Sequence, residues 1–150
     1  MISDKIIVRK AKLSDAKSIW QIRNLPLVRS NSNNSKKIDF KSHQAWFENK
    51  YFKNRKNHCF VLEIDKNIQG YCRFDLDKDK YIVSIAINPA SHGLGLGNIL
   101  LSRALNLVKT KKEILAEIKQ TNLSSINLFL KNNFQIFHQD EKIIYLKYQF

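Results

Sequence analysis

The stretch Ser91-His92-Gly93-Leu94-Gly95-Leu96-Gly97-Asn98 contains three of the four glycines of this 150-residue chain. An apolar strand pattern, residues 81–87, leads into it, and a helix pattern, residues 99–108, follows it. Glycines at this spacing let main-chain N–H groups approach a ligand closely, and a helix N-terminus just beyond them attracts anions. The stretch therefore predicts a cradle for a phosphate or pyrophosphate group. The alternative is an ordinary glycine-rich turn between a strand and a helix.

Two common phosphate-binding motifs do not fit this stretch. A P-loop ends in Gly-Lys-Ser/Thr, whereas Gly97 is followed by Asn98 and Ile99. A dinucleotide fingerprint has the spacing G-x-G-x-x-G, whereas the spacing here is G-x-G-x-G. Only 53 residues follow Gly97, which is too few for most of a doubly wound sheet.

Length and composition predict one domain over residues 1–150, with enough hydrophobic residues (43%) for a real core. No segment approaches the roughly 20 apolar residues of a membrane span, and the N-terminus lacks the apolar run of a signal peptide. Cys59 and Cys72 are the only cysteines, and they show no metal-ligand spacing. We therefore expect a cytoplasmic protein with reduced cysteines, no metal and no membrane association.

Hydrophobic periodicity predicts an α/β fold with a mixed central sheet flanked by helices. Ser14 and Asp39 are candidate N-caps of two helices in the first half of the chain. The predicted order of elements is β-α-α-β-β-β-α-β-α-β-β. The predicted strands are 6–10, 59–64, 68–75, 81–87, 114–119, 134–137 and 143–148, and the later helices are 99–108 and 122–132.

The glycine stretch resembles the acetyl-coenzyme A loop of the GNAT acetyltransferases, Arg/Gln-x-x-Gly-x-Gly/Ala after a central strand. Residues 94–97 fit its last four positions, and His92 replaces the Arg/Gln. The predicted order of elements is that of the GNAT fold over nearly the whole chain. The resemblance implies that acetyl-CoA is a co-substrate. It also implies cofactor contacts from Ile85, Ala86, Ile87, His92, Gly93, Leu94, Gly95, Leu96, Gly97, Asn98, Asn122, Ser125 and Phe129.

Residues 117–134 resemble the second part of the GNAT pattern, a strand followed by Asn-x-x-Ala/Ser-Ile-x-Leu-Tyr-x-x-x-Gly-Phe. Asn133 stands in place of the glycine, and we expect it to adopt the same left-handed conformation. Phe129 stands in place of the tyrosine that protonates the leaving thiolate in many members. Either the thiolate then leaves unaided, or water or another group supplies that proton, or the activity has been lost. Phe129 is expected mainly to pack. The matching positions are Asn122, Ser125, Ile126, Leu128 and Phe134.

Glu117 lies where some GNAT members place a general base. A carboxylate at this position could take the proton of an attacking amine, directly or through a water. The alternative is that Glu117 faces solvent or pairs with a neighbouring lysine.

The first half of the chain is similar to GNAT members that acetylate nucleotide-linked amino-dideoxy sugars, such as the pseudaminic-acid pathway enzymes. The pattern is Trp-x-x-Arg-Asn-x-Pro-x-Val-Arg, then His-x-x-Trp-Phe, over residues 20–29 and 43–47. Arginine suits phosphate contacts and tryptophan stacks on planar rings, although Trp46 could equally belong to the core. The acceptor site is therefore predicted to contain Arg23, Asn24, Arg29, His43 and Trp46.

The predicted function is transfer of acetyl from acetyl-CoA to a primary amine of a nucleotide-linked sugar, by direct attack in a ternary complex. The net charge of +13 suits the phosphates of both substrates. Nucleic acid is disfavoured as a partner because the Lys and Arg residues are scattered, and a homodimer is left open. One alternative is a protein N-terminal or lysine acetyltransferase. The other is a non-catalytic module that binds CoA or nucleic acid.

Overall fold

The computed structural model describes residues 5–150. Five helices and seven strands account for most of this range, with short 3₁₀ turns at Leu13–Asp15 and Pro89–Ser91 and a π-turn at Asn49–Lys53. The helices are α1 (Ala16–Arg23), α2 (Pro26–Ser30), α3 (Phe40–Glu48), α4 (Leu96–Val108) and α5 (Leu123–Lys131). The strands are β1 (Ile6–Lys10), β2 (His58–Ile64), β3 (Asn67–Asp77), β4 (Lys80–Ile87), β5 (Ile114–Lys119), β6 (Phe134–Gln139) and β7 (Ile143–Tyr148).

The strands form one mixed sheet in the order β1-β2-β3-β4-β5-β7-β6. The pairs are antiparallel except β4 with β5, which is parallel. That pair is short, because only Tyr81 with Ile114 and Ile82 with Leu115 are in register. Beyond these residues β4 and β5 separate, and the sheet is open between residues 84–87 and 117–119. The predicted α/β fold with a mixed central sheet is confirmed.

Each face of the sheet carries its own core, because side chains alternate between the two faces of a strand. On one face, α4 and α5 pack on apolar side chains that include Phe60, Cys72 and Ala116. On the other face, α1 and α3 pack on Val61 and Tyr71. Helices α1 to α3 belong to the core that covers β2 and β3. None of them packs on the same face of β5, β7 and β6.

Local capping explains where the helices begin. Asp39 caps α3 as predicted, since its carboxylate accepts the Ser42 N–H at 3.0 Å. The prediction that Ser14 caps the first helix is wrong, because Ser14 lies inside the 3₁₀ turn and α1 begins at Ala16. Asp15 organises that turn instead, because its carboxylate accepts the Lys12 N–H at 2.7 Å and pairs with Arg9 at 2.8 Å.

Two further findings concern the residues that the structure describes. Among residues 5–150, no helix is both long and apolar enough to cross a bilayer. Within the same range, no three His, Cys, Asp or Glu side chains are grouped in a way that could hold a metal ion.

Candidate active site

The glycine stretch forms a loop at the C-terminal end of β4. Asn88 starts the turn, because its side chain accepts the Ala90 N–H at 3.1 Å. Gly93 and Gly95 then adopt φ values of +84° and +73°, a region that L-residues with a side chain rarely occupy. These two glycines reverse the chain so that α4 begins at Leu96.

The outer side of this loop is open and lined by free N–H groups. No atom lies within 4 Å of the position that a Cβ would take at Gly93 or Gly95. The first main-chain bond into α4 runs from the Ile99 N–H to the Gly95 carbonyl at 3.3 Å. In the described part of the chain, the N–H groups of residues 93–98 have no protein acceptor. Such groups at a helix N-terminus suit a phosphate or pyrophosphate.

Two residues of the stretch have a structural role. A Cβ at Gly97 would lie 3.3 Å from Cδ2 of Leu128, so Gly97 allows α4 to approach α5 closely. His92 is exposed, and its Nε2 lies 3.2 Å from the Ile87 carbonyl oxygen, which it can reach as a donor. His92 therefore ties the loop back to the end of β4.

The second motif forms the start and the core-facing side of α5. The Asn122 side chain accepts the Ser125 N–H at 3.4 Å and caps the helix. Phe129 is 1% exposed, and its ring packs edge-on against Phe134 with centroids 4.9 Å apart. Asn133 has a φ of +66°, which confirms the predicted left-handed residue. The Phe129 side chain is therefore a core residue, as expected for packing.

A row of polar side chains crosses the sheet on the face of α1 and α3. Arg73 of β3 is in register with Ser84 of β4. Glu117 of β5 is in register with Tyr145 of β7, which is in register with His138 of β6. Ser84 and Glu117 each lie two residues beyond the last β4–β5 pair. The opening between β4 and β5 therefore divides the row. Ser84 lies on one side of this opening and Glu117 on the other.

Glu117 is exposed and faces the side that α1 and α3 occupy. Its neighbours Ala116 and Ile118 are buried against α4 and α5, so alternation directs Glu117 to the other face. Beside it, the Tyr145 hydroxyl donates to the Asp140 carboxylate at 3.2 Å. Desolvation, and then this carboxylate, raise the pKa of Tyr145. The hydroxyl is therefore protonated at neutral pH.

Two guanidinium groups lie against the Trp46 ring at the other end of the row. The Arg23 Cζ is 4.3 Å from the ring centroid and the Arg73 Cζ is 5.2 Å from it. Arg73 is neutralised by Asp75, because it donates to this carboxylate at 2.9 Å. Arg23 has no carboxylate within 4 Å among the described residues. Burial, and then the charge of Arg73, lower the pKa of Arg23.

His43 lies beneath Arg23 and is fully buried. Its Nδ1 is 3.4 Å from Nη1 of Arg23, so Nδ1 accepts and the ring proton belongs on Nε2. Along the described chain, Nε2 has no hydrogen-bond partner. Burial, and then the positive charge of Arg23, lower the pKa of His43 to about 4. The main chain of Ala16 acts in the opposite direction and raises this pKa. His43 is therefore neutral at pH 7 and supports Arg23 and Trp46 from below.

Two of the predicted acceptor residues are committed to the main chain. The Asn24 amide donates to the Ile38 carbonyl at 2.7 Å and accepts the Ile38 N–H at 3.0 Å. Arg29 donates to the carbonyls of Asn24 at 3.0 Å and Ser35 at 3.2 Å. Both side chains hold the segment between α2 and α3 against the end of α1. Of the five predicted acceptor residues, Arg23 and Trp46 keep free surface beside the row.

Four members of the row were missed by sequence reasoning: Arg73, Ser84, Tyr145 and His138. Arg73 carried a usable signal, since a charged residue interrupts a buried strand pattern between Cys72 and Phe74. Ser84, Tyr145 and His138 carried none, because their importance depends on register with distant strands.

A family model for the acetyltransferase (GNAT) family matches residues 18–134. The chain belongs to this family. An N-alpha-acetyltransferase of Sulfurisphaera tokodaii is 24% identical over 144 residues, which cover 85% of this chain and 79% of that protein.

Solved structures show the same fold at low identity. The yncA protein of Salmonella typhimurium with its cofactor acetyl-CoA superimposes with a TM-score of 0.81, at 22% identity over 96% of this chain and 93% of that chain. Spermidine N-acetyltransferase from Vibrio cholerae, in complex with CoA and spermine, superimposes with a TM-score of 0.80, at 17% identity over 97% and 95% of the two chains.

This GNAT protein is therefore an acetyl-CoA-dependent N-acetyltransferase, which confirms the predicted enzyme class and co-substrate. The open glycines and free N–H groups at the start of α4 fit the pyrophosphate of that co-substrate. The family assignment favours an acyltransferase over a non-catalytic binding module.

Proposed function

We propose that this GNAT acetyltransferase acetylates the primary amine of a nucleotide-linked amino sugar. The observation that carries the proposal is the Arg23 guanidinium, a half-buried cation over Trp46 without a carboxylate partner in the described chain. It lies on the same face of the sheet as Glu117. A buried or half-buried charge is costly unless it is paired, so an anionic group of the acceptor is the natural partner for Arg23.

The proposed cofactor site has two parts. The N–H groups of residues 93–98 hold the pyrophosphate, as their lack of protein acceptors supports. The acyl-bearing arm enters the opening between β4 and β5, where Ile85, Ala86 and Ile87 have no β5 partner. An unpaired strand edge offers N–H and C=O groups to an extended ligand. We assign Asn122 and Ser125, at the start of α5, to the same cofactor site.

In the proposed reaction, the neutral amine attacks the thioester carbonyl in a ternary complex. A C–N bond forms and the C–S bond breaks, while Glu117 takes the proton that the amine loses, directly or through a water. Phe129 has no proton to donate, so water protonates the departing thiolate. A thiol has a pKa near 8.5, and its thiolate is therefore a tolerable leaving group.

The dimensions of the row support an elongated acceptor. Arg73 and Glu117 lie on strands two positions apart, and neighbouring strands are spaced by about 4.8 Å. We call the space along this row the acceptor cleft. Because β4 and β5 have separated at this level, an acceptor in the cleft spans at least roughly 10 Å between the group at Trp46 and Arg23 and the amine at Glu117. A sugar joined to a phosphate has this length, and Trp46 offers a ring face for its base or sugar.

A second candidate is a protein N-terminal acetyltransferase. It is favoured by the 24% identity to the N-alpha-acetyltransferase of Sulfurisphaera tokodaii. No helix of the α1–α3 core packs on the second face of β5, β7 and β6, which leaves room there for a peptide backbone. The two candidates differ in the need for Arg23, because an N-terminal peptide amine carries no adjacent phosphate.

The test is an acceptor screen read by release of the free thiol of CoA. Nucleotide-linked amino sugars, short peptides with free N-termini, and spermidine are compared side by side. We expect turnover with a nucleotide-linked amino sugar. The same sugar without the nucleotide should have a higher KM in wild type, and the two KM values should be similar in Arg23→Gln. Turnover with peptides alone, unchanged by Arg23→Gln, would favour the second candidate.

We further propose a cytoplasmic homodimer. Strand β6 is an edge of the sheet and lacks Lys, Arg, Asp and Glu in a chain of net charge +13. Ile136 and Phe137 on this strand are 46% and 54% exposed. Two like-charged copies approach best through an uncharged surface. Both cysteines are free, as expected in a reducing compartment. Sedimentation of wild type against Phe137→Lys tests the dimer, which the lysine should dissociate.

A further inference from the structure

The positive charge of the chain does not lie at the cofactor loop. Residues 81–102, which include β4 beyond Lys80, the loop and the first half of α4, contain no Lys, Arg, Asp or Glu. The loop therefore offers main-chain N–H groups to phosphates and no lysine or arginine from this segment. The positive charge elsewhere on the chain therefore suggests a binding site for an anion other than the phosphates of acetyl-CoA.

The charge is concentrated at the opposite end of the strands. There β1 ends, β2 begins, and β3 turns into β4 beside the start of β5. Three acidic residues, Asp77, Asp79 and Glu113, lie in the same connections. Lys50 and Lys147 also lie at this end and pair with Asp75 and Glu113, each at 3.6 Å. Nine further basic residues at this end are Lys10, Lys53, Arg55, Lys56, Lys78, Lys80, Lys109, Lys111 and Lys112. None of the nine forms an ion pair within the part of the chain that the structure describes.

A cavity of about 260 Å³ opens in this basic end, between the end of β1, the π-turn and the start of β2. Its lining includes two unpaired cations, Lys10 and Arg55, and no acidic residue. The lining also contains three aromatic residues, Tyr51, Phe52 and His58, of which Phe52 and His58 are half-buried. Burial, and then Lys10, lower the pKa of His58, so its ring is uncharged at neutral pH and suited to stacking.

We propose that this cavity binds a nucleotide, with the phosphate at Lys10 and Arg55 and the base against Phe52 and His58. Ligand pockets for whole drug-sized molecules measure about 300–1,000 Å³, so this cavity suits one ring and one phosphate rather than a coenzyme. Arginine and lysine supply charge-assisted bonds to phosphate, and bases of any kind stack on aromatic faces. The nucleotide is a free mononucleotide or one unit of a nucleic acid strand.

The test is isothermal titration of the CoA-saturated protein with uridine monophosphate, a ten-residue oligouridylate and inorganic phosphate. Saturation with CoA removes binding at the glycine loop. We expect the nucleotides to bind wild type and to bind Lys10→Gln/Arg55→Gln at least tenfold more weakly, since charge-assisted hydrogen bonds are lost. Both side chains are exposed, so an unchanged melting temperature should accompany the loss.

Two controls separate this site from others. Lys36→Gln/Lys37→Gln removes the same charge from exposed positions elsewhere and should bind like wild type. Arg23→Gln should retain the binding that Lys10→Gln/Arg55→Gln loses, because Arg23 belongs to the proposed acceptor cleft and not to this cavity. Loss of binding in Arg23→Gln alone would place the nucleotide in that cleft and overturn this proposal while leaving the proposed acceptor intact.

The probes distinguish the two sources of nucleotide. Similar affinity for the mononucleotide and the oligonucleotide indicates a free nucleotide. Much tighter binding of the oligonucleotide, with a steep salt dependence, indicates a strand laid across the basic end. Equal binding of inorganic phosphate and both nucleotides would refute the stacking on Phe52 and His58, and wild-type affinity in Lys10→Gln/Arg55→Gln would refute the site.

Discussion

Replacing Gly95 tests whether the open loop holds the pyrophosphate of acetyl-CoA. Gly95→Asp and Gly95→Asn have side chains of the same shape, and both residues tolerate positive φ better than other L-residues. Each should cost on the order of 1–2 kcal/mol of stability without ligand, because φ at this position is +73°. No atom lies within 4 Å of the Cβ position, so no clash with protein adds to this cost.

The two variants should differ once ligand is added. A ligand at 100 times its Kd stabilises wild type by about 2.7 kcal/mol, which raises Tm by roughly 5–11 °C for a chain of this size. In Gly95→Asp, a carboxylate about 4 Å from the pyrophosphate adds roughly 4 kcal/mol of repulsion at an effective dielectric constant of 20. The stabilisation by ligand should therefore vanish in Gly95→Asp and survive in part in Gly95→Asn.

The assay is thermal unfolding of the three proteins with and without acetyl-CoA, at low and at high salt. The repulsion should weaken with salt because solvent-exposed charges are screened. If acetyl-CoA lost its stabilising effect equally in the Asp and Asn variants, side-chain volume and not charge would be responsible. An unchanged Tm of wild type at saturating acetyl-CoA would refute the cradle altogether.

Four further outcomes are expected. Glu117→Gln should lower kcat most at low pH, where the amine most needs a base, and leave the Tm shift by acetyl-CoA unchanged; an unaltered pH–rate profile would exclude Glu117 as the base. Arg23→Ala should raise the acceptor KM roughly tenfold or more and leave the KM for acetyl-CoA unchanged, as steady-state kinetics with each substrate varied can check. Gly70→Ala should destabilise the fold by about 1–3 kcal/mol in urea unfolding, since its Cβ would lie 2.8 Å from the Ala86 carbonyl oxygen; wild-type stability would mean that β3 and β4 can separate there. His43 has a pKa lowered from 6.5 to about 4, so unfolding stability should fall by about 3 kcal/mol as the pH drops from 6.5 to 4, and His43→Gln should flatten this dependence.

Local chemistry let the sequence predict the order of the strands and the glycine-rich loop, although the short helix α2 (Pro26–Ser30) was not predicted. Positive φ at Gly93 and Gly95 depends on the residue itself, and so does the left-handed Asn133. The helix caps at Asp39 and Asn122 bond to N–H groups three residues away. Such signals survive in any tertiary context, which is why strand, loop and helix could be placed around residues 91–98.

The same local reasoning could not rank the acceptor residues. Asn24 and Arg29 have the polar chemistry of a binding site, but the path of the chain between α2 and α3 brings carbonyl groups to them. His43 is held inside the protein beneath Arg23. Whether a polar side chain meets main chain or solvent depends on what packs against it, and that partner lies 14 or more residues away for Asn24 and His43.

The sequence by itself determined the net charge of this acetyltransferase and, through local patterns, the positions of its strands, its longer helices and its glycine-rich loop. Only the tertiary structure decided that Arg73, Ser84, Glu117 and Tyr145 share one face and one level of the sheet. It also decided that the basic residues gather at the end away from the cofactor loop. The physical reason is that strand register and the separation of β4 from β5 arise from contacts between residues far apart in sequence, which no local preference encodes.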